Sequence, residues 1–203
     1  MDFDSLVKRS ATELLTYDAY MDLMAAQTAG TAPEGDAEAA ERLEYTRLNL
    51  HRSRRIARTW RPSDELTARL DALPAGETWL VLSEPWCGDS AQCLPCVAVM
   101  AASRPGIDLR VLLRDANPEV MDRFLTDGKR AIPVVAMFDA AGRPVGRWGP
   151  RPAAAQAVFA AAKAEGLETP GVLERLHLWY GRDRGRALDE EFRALLAARG
   201  AGS

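Results

Sequence analysis

The chain has 203 residues, 47% apolar and 27% charged. That suits one domain with extensions, or at most two small ones, with a real core under a soluble surface. A formal charge of −3 carries no signature of nucleic-acid binding, and no apolar run approaches the ~18 residues that a membrane span needs.

The opening, "MDFDSLVKRSATELLTYDAY", has acids at Asp2 and Asp4 and no apolar core. It does not read as a secretion signal, so the cytoplasm is the expected compartment. Residues 5–28 read as helix in two pieces, with apolar positions Leu6, Leu14, Leu15, Tyr17, Leu23 and Met24. Residues 28–36 are a loop by composition. A second helix is expected over 37–59, ended before Pro62. Ser63 is placed to cap a short helix over 64–73.

The texture then changes. "TWLVLSE" (78–84) is a nearly continuous apolar run, as expected of a strand buried on both faces. A helix should follow from 88 to about 102, then a strand over 107–115. Residues 117–128 read as a helix with Pro118 in its first turn and Gly128 past its end. Residues 132–148 read as a hairpin turning at Ala140-Ala141-Gly142. An Ala-rich helix over 153–165 stops at Gly166, and two more helices are expected at about 170–180 and 186–199. Strand, helix, strand, helix, strand, strand, helix predicts a mixed sheet with helices on both faces. No internal repeat is visible.

All three cysteines fall in "EPWCGDSAQCLPC" (84–96). Three clustered thiols make no disulfide framework; they point to redox chemistry, metal binding or packing. The two histidines, His51 and His177, have no ligand spacing, so no metal site is expected. Cys87 sits where a buried strand ends and a helix begins. Free N–H groups and the helix dipole there favour a thiolate. Gly88 leaves room for a partner chain, and Ser90, one turn on, can offer its hydroxyl to the sulfur. Asp89 and Glu84 oppose this, because nearby negative charge raises a thiol pKa. On these residues alone, a reactive thiol and an inert buried one both remain open. Cys93 lies about 9 Å of helical rise beyond Cys87, outside the ~7 Å between α-carbons that a disulfide tolerates; Cys96 is farther. Both are expected to be buried packing residues.

Taken in order, "LVLSEPWCGDS", Pro95 eight residues after Cys87, Asp115-Ala-Asn-Pro118, Ile132-Pro133 and a closing helix resemble the thioredoxin family. The resemblance covers 75–165. The flanks "EYTRLNLHRSRR" and "LHLWYGRDRGRALDEEF" look like those of a bacterial branch of thioredoxin-like proteins with a Trp-Cys-Gly-Asp-Ser box. It implies an α/β thioredoxin fold, a mixed central sheet flanked by helices. It divides the chain into a helical extension (1–74) packed on the core, a thioredoxin-like domain (75–165) and a C-terminal helical addition (166–203). It also implies a cis Ile132–Pro133 bond facing the Cys87 sulfur. Trp86, Gly88, Asp89, Ile132 and Pro133 would line a substrate groove whose backbone pairs with an extended strand.

The departures bear on function. Where the family has a second cysteine this chain has Ser90, and where it has a buried aspartate six residues before the first cysteine this chain has Val81. The expected activity is therefore thiol–disulfide exchange in monothiol mode, with Cys87 as nucleophile and Ser90 stabilising its thiolate. The partner would be a disulfide-containing protein or a low-molecular-weight thiol, with no cofactor, nucleic acid or membrane. The rival is a binding module with a vestigial Cys87. A depressed Cys87 pKa would favour chemistry and a raised one the module. Six arginines between Arg47 and Arg61 read as a solvated face, or as a basic wall near Cys87. Of the adjacent Trp179 and Tyr180, one should pack and the other lie exposed.

Overall fold

The computed structural model describes residues 2–10 and 12–200. The elements run α1 (Phe3–Val7), α2 (Tyr17–Ala29), α3 (Ala37–Thr59), α4 (Asp64–Asp71), β1 (Glu77–Ser83), α5 (Gly88–Ser103), β2 (Ile107–Leu113), α6 (Pro118–Met121), β3 (Val134–Phe138), β4 (Pro144–Trp148), α7 (Ala153–Ala164), α8 (Thr169–Asp183) and α9 (Arg186–Gly200). The sheet order is β2-β1-β3-β4; β1 pairs parallel with β2 and antiparallel with β3, and β3 pairs antiparallel with β4. This is the mixed α/β sheet, flanked by helices, that the thioredoxin reading implies.

The apolar run of β1 is explained by its central place. Trp79 and Val81 enter one core cluster, while Leu80 and Leu82 enter the other across the sheet, as the period of two demands. The larger cluster takes side chains from all three stretches of the chain: Tyr20 and Leu50, then Val81 and Val97, then Leu176 and Phe192. Phe192 of α9 packs its ring against Trp79 at 5.9 Å and Trp148 at 5.5 Å. Beside it, Arg199 pairs with the buried carboxylate of Glu77.

Helix starts follow local chemistry. The side chains of Thr16, Asp36 and Ser63 each accept a hydrogen bond from the backbone N–H three residues on. Two expectations need correction. Residues 8–10 and 12–16 are not helical: Leu15 exchanges two backbone hydrogen bonds with Val111, at 2.9 and 2.8 Å, on the open edge of β2. An unpaired edge offers the donors and acceptors that this segment takes. The helix expected over 117–128 also stops at Met121. Arg147, from β4, donates to the carbonyls of Phe124 and Leu125 and to the Thr126 hydroxyl. A side-chain donor there replaces the N–H groups that would have continued the helix. Asp127 and Gly128 then turn with positive φ.

Candidate functional site

β1 delivers the chain to Ser83, and a turn closed by Cys87 N–H donating to the Glu84 carbonyl (3.1 Å) leads into α5. Cys87 is the N-cap of that helix, and its sulfur accepts from the Ser90 backbone N–H at 3.5 Å. The thiol donates to the Ile132 carbonyl at 3.5 Å. Ile132–Pro133 is a cis peptide bond, as is Gly149–Pro150. Gly149 lies against this loop: its φ is 122°, and an added Cβ would come 2.2 Å from the Pro133 carbonyl oxygen. Only glycine can hold that approach.

The electrostatics favour the thiol over the thiolate. Cys87 is 8% exposed. Burial first, then the neighbouring Asp89 carboxylate, push its pKa up to about 11, against a downward pull from Ser90. The helix N-terminus does not overcome the loss of solvent. The Ser90 hydroxyl, expected at the sulfur, is buried with no hydrogen-bond partner among the described residues. The backbone N–H of Ser90 donates to the sulfur.

Asp89 and Gly88 are placed differently from the groove positions expected of them. The Asp89 carboxylate turns inward, held by Arg151 at 2.6 and 3.0 Å and by the Tyr180 hydroxyl at 2.6 Å. Burial raises its pKa, and Arg151 and Tyr180 oppose the rise. Gly88 lies against a neighbour from the same chain. The His177 ring of α8 sits where a Cβ would be, with Cε1 and Nε2 2.8 and 2.9 Å from that point. Arg52 Nη1 approaches His177 Nε2 at 3.2 Å. A guanidinium only donates, so Nε2 accepts and the ring proton lies on Nδ1. Burial and Arg52 push the His177 pKa down to about 4, so the ring is neutral at pH 7. Arg52 also donates to Asn49, whose amide donates to the Pro85 carbonyl. The arginine-rich face of α3 thus sends Arg52 to the start of α5, while Arg47 turns to the carbonyls of Thr28 and Gly30.

Trp86 is half-buried, its ring approached by the guanidinium groups of Arg114 (4.8 Å) and Arg42 (5.5 Å). Ile132 and Pro133 are buried. Glu84, read from sequence only as a nearby charge, has its carboxylate under the Asp115 N–H at 2.7 Å; burial raises its pKa to about 7. Cys93 and Cys96 are buried, as their inward place on α5 predicts. Cys93 lies 3.8 Å from the Tyr180 hydroxyl, Cys96 donates to the Gln92 carbonyl, and none of the three thiols is in a disulfide. Val81 is fully buried between Val111 and Val135 and supplies no carboxylate. His177, Tyr180 and Arg151 escaped the sequence reading as neighbours of this site, whereas Arg52 fell within the arginine run read as a solvated face or a basic wall near Cys87. None carries a local motif, and each arrives from a distant element.

A family model described as Thioredoxin matches residues 37–163. Among solved structures, a protein of unknown function from Pseudomonas aeruginosa resembles the chain with a TM-score of 0.54 at 20% identity, covering 91% of this chain and 98% of that one. An HIV epitope-scaffold does so with a TM-score of 0.51 at 21% identity, covering 91% and 99%. At these identities the likeness speaks to fold. No curated protein shows a significant match.

Proposed function

The chain belongs to the thioredoxin family, and on that premise we propose that it performs thiol–disulfide exchange in monothiol mode through Cys87. The observation that carries this reading is the setting of the sulfur. It caps α5 beside the carbonyl that precedes Pro133, with Ser90 one turn away where a dithiol site would hold its second thiol.

In the proposed step, the Cys87 thiol gives up its proton and its sulfur attacks one sulfur of a disulfide. A Cys87–substrate disulfide forms, the substrate S–S bond breaks, and the leaving thiolate takes a proton. No net oxidation occurs. A second thiol, from a low-molecular-weight thiol or from the partner, then attacks the mixed disulfide and restores Cys87.

A thiol with a pKa near 11 is almost wholly protonated at pH 7. Its resting hydrogen bond to the Ile132 carbonyl adds to that preference. A substrate strand pairing with this backbone would take the carbonyl from the thiol, which removes one stabilising contact of the protonated form. Reactivity would then rise only with a substrate in place. The same raised pKa favours a second reading, a binding module in which Cys87 is inert.

The two readings part on trapping. Native protein incubated with a small aromatic disulfide should acquire one mixed disulfide, located at Cys87 by mass spectrometry. Cys87→Ser should acquire none and Cys93→Ser should behave as native. Trapping that survives Cys87→Ser but not Cys93→Ser would assign the chemistry to the wrong sulfur here. No trapping in any form would favour the module.

A further inference from the structure

A cavity of about 780 Å³ opens between α3, α5, α8 and α9. It takes in Cys93 and Cys96 but not Cys87, and shares only Tyr180 with the surroundings of the thiol site described above. That volume is in the range of sites that hold small organic ligands. Part of its wall is apolar, made by buried Ile56, Trp60, Cys93, Cys96, Tyr180 and Leu188, and part is polar, with Thr59, Ser63 and Gln92. Its rim is basic: Arg55, Arg61, Arg184 and Arg186 are all exposed and all border it.

Three carboxylates border the cavity, Asp183, Asp189 and Glu190, and among the described residues none is ion-paired with those four. Asp189 accepts from the Ser63 N–H and hydroxyl, both at 2.8 Å, and pairs with Arg193. Asp183 accepts from the Ala187 N–H at 3.2 Å. Among the described residues, none of the four rim arginines lies within salt-bridge distance of an acid. Two are tethered at the mouth through backbone oxygens: Arg61 on the Trp60 carbonyl and Arg186 on the Asp183 carbonyl. A third is brought there by the α8–α9 turn, in which Arg184 (φ 57°) and Gly185 (φ 80°) are both left-handed. Gly185 lets the Trp60 indole come close; an added Cβ would be 2.6 Å from Nε1.

We propose that this cavity binds a small organic anion, a phosphate or carboxylate joined to a planar apolar group. The anion meets the guanidinium rim, whose forked donors match phosphate and carboxylate oxygens. The planar group lies on Trp60 and Leu188 and leaves water. Charge alone would not select this cavity over other arginine-rich surface, and apolar wall alone would not select an anion; the combination requires both parts in one ligand.

The test is calorimetric titration of the full chain with phenyl phosphate, set beside inorganic phosphate and benzyl alcohol. Phenyl phosphate should bind at one site per chain, and each half-ligand should bind at least about tenfold more weakly. Arg55→Ala combined with Arg184→Ala should weaken phenyl phosphate at least about tenfold, while Arg130→Ala, whose guanidinium pairs with Asp122 outside the cavity, should bind as native. Gly181→Trp gives a second route, because Gly181 borders the cavity with open space where its Cβ would be; it should block binding while every rim arginine remains. Absence of saturable binding overturns the proposal. So does equal binding by inorganic phosphate, by the double variant or by Gly181→Trp, and so does an equal loss in Arg130→Ala.

Discussion

At the scale of single residues, the Cys87 sulfur lies between one donor and one acceptor, the Ser90 N–H and the Ile132 carbonyl. Burial decides which protonation state wins. With the pKa at about 11, the rate of alkylation by iodoacetamide should climb about tenfold per pH unit between 7 and 10. A plateau below pH 8.5 would refute the buried-thiol description. The linkage has a definite sign. The folded pKa exceeds that of an unfolded cysteine, so this group's contribution to stability is full below about pH 8.5. It is lost as pH rises through 11. Ser90→Cys would return a thiol one turn from Cys87, within disulfide distance. It should shorten the lifetime of Cys87 mixed disulfides and raise disulfide reductase turnover with a chemical reductant. Unchanged lifetimes would mean that the two side chains do not meet.

At the scale of elements, the start of α5 is closed by α8. The contact runs through Gly88 and the His177 ring, with Arg52 of α3 behind it. Gly88→Ala places a methyl inside van der Waals contact with that ring, and overpacking of this kind costs about 1–3 kcal/mol. His177→Ala should open the space, so Gly88→Ala should cost much less in that background. Chemical denaturation of the four proteins of the cycle measures the coupling. Equal costs in both backgrounds would show that α8 does not press on this turn. The His177 pKa of about 4 also gives this contact a pH signature. Its folded pKa lies below the unfolded value near 6.5, so its stabilising contribution is full above that pH and fades as pH falls through 4.

At the scale of the whole molecule, the C-terminal helices complete the core under the sheet. Phe192 fills the space between Trp79 and Trp148, and Arg199 neutralises Glu77, which is 1% exposed at the head of β1. The Trp79 indole N–H also reaches Glu77 at 3.0 Å. Removing one partner of a buried pair leaves a charge without compensation, so Arg199→Ala should destabilise the fold by about 3–5 kcal/mol. Denaturant unfolding provides the measurement. A loss below about 1 kcal/mol would place this pair among exposed ion pairs and α9 outside the cooperative unit. No helix among the described residues is long and apolar enough to cross a membrane.

Features controlled by neighbouring residues could be read directly from the chain. The 23-residue α3 begins after Asp36 and ends before Pro62, as its caps and the proline's steric demand require. The apolar β1, the capping Ser63 and the hairpin turn at 140–142 were legible for the same reason, and Cys87 and Ile132-Pro133 stood out as motifs. The features that could not be read there involve partners far apart in the chain. Arg147 cuts α6 short from 21 to 23 residues away, and Leu15 finds the edge of β2 at Val111. Asp89 turns inward because Tyr180 reaches it from 91 residues away and Arg151 from 62. The state of Cys87 belongs to this second kind. The dipole of α5 is local and readable, but desolvation depends on every element that covers the sulfur, and here it outweighs the dipole.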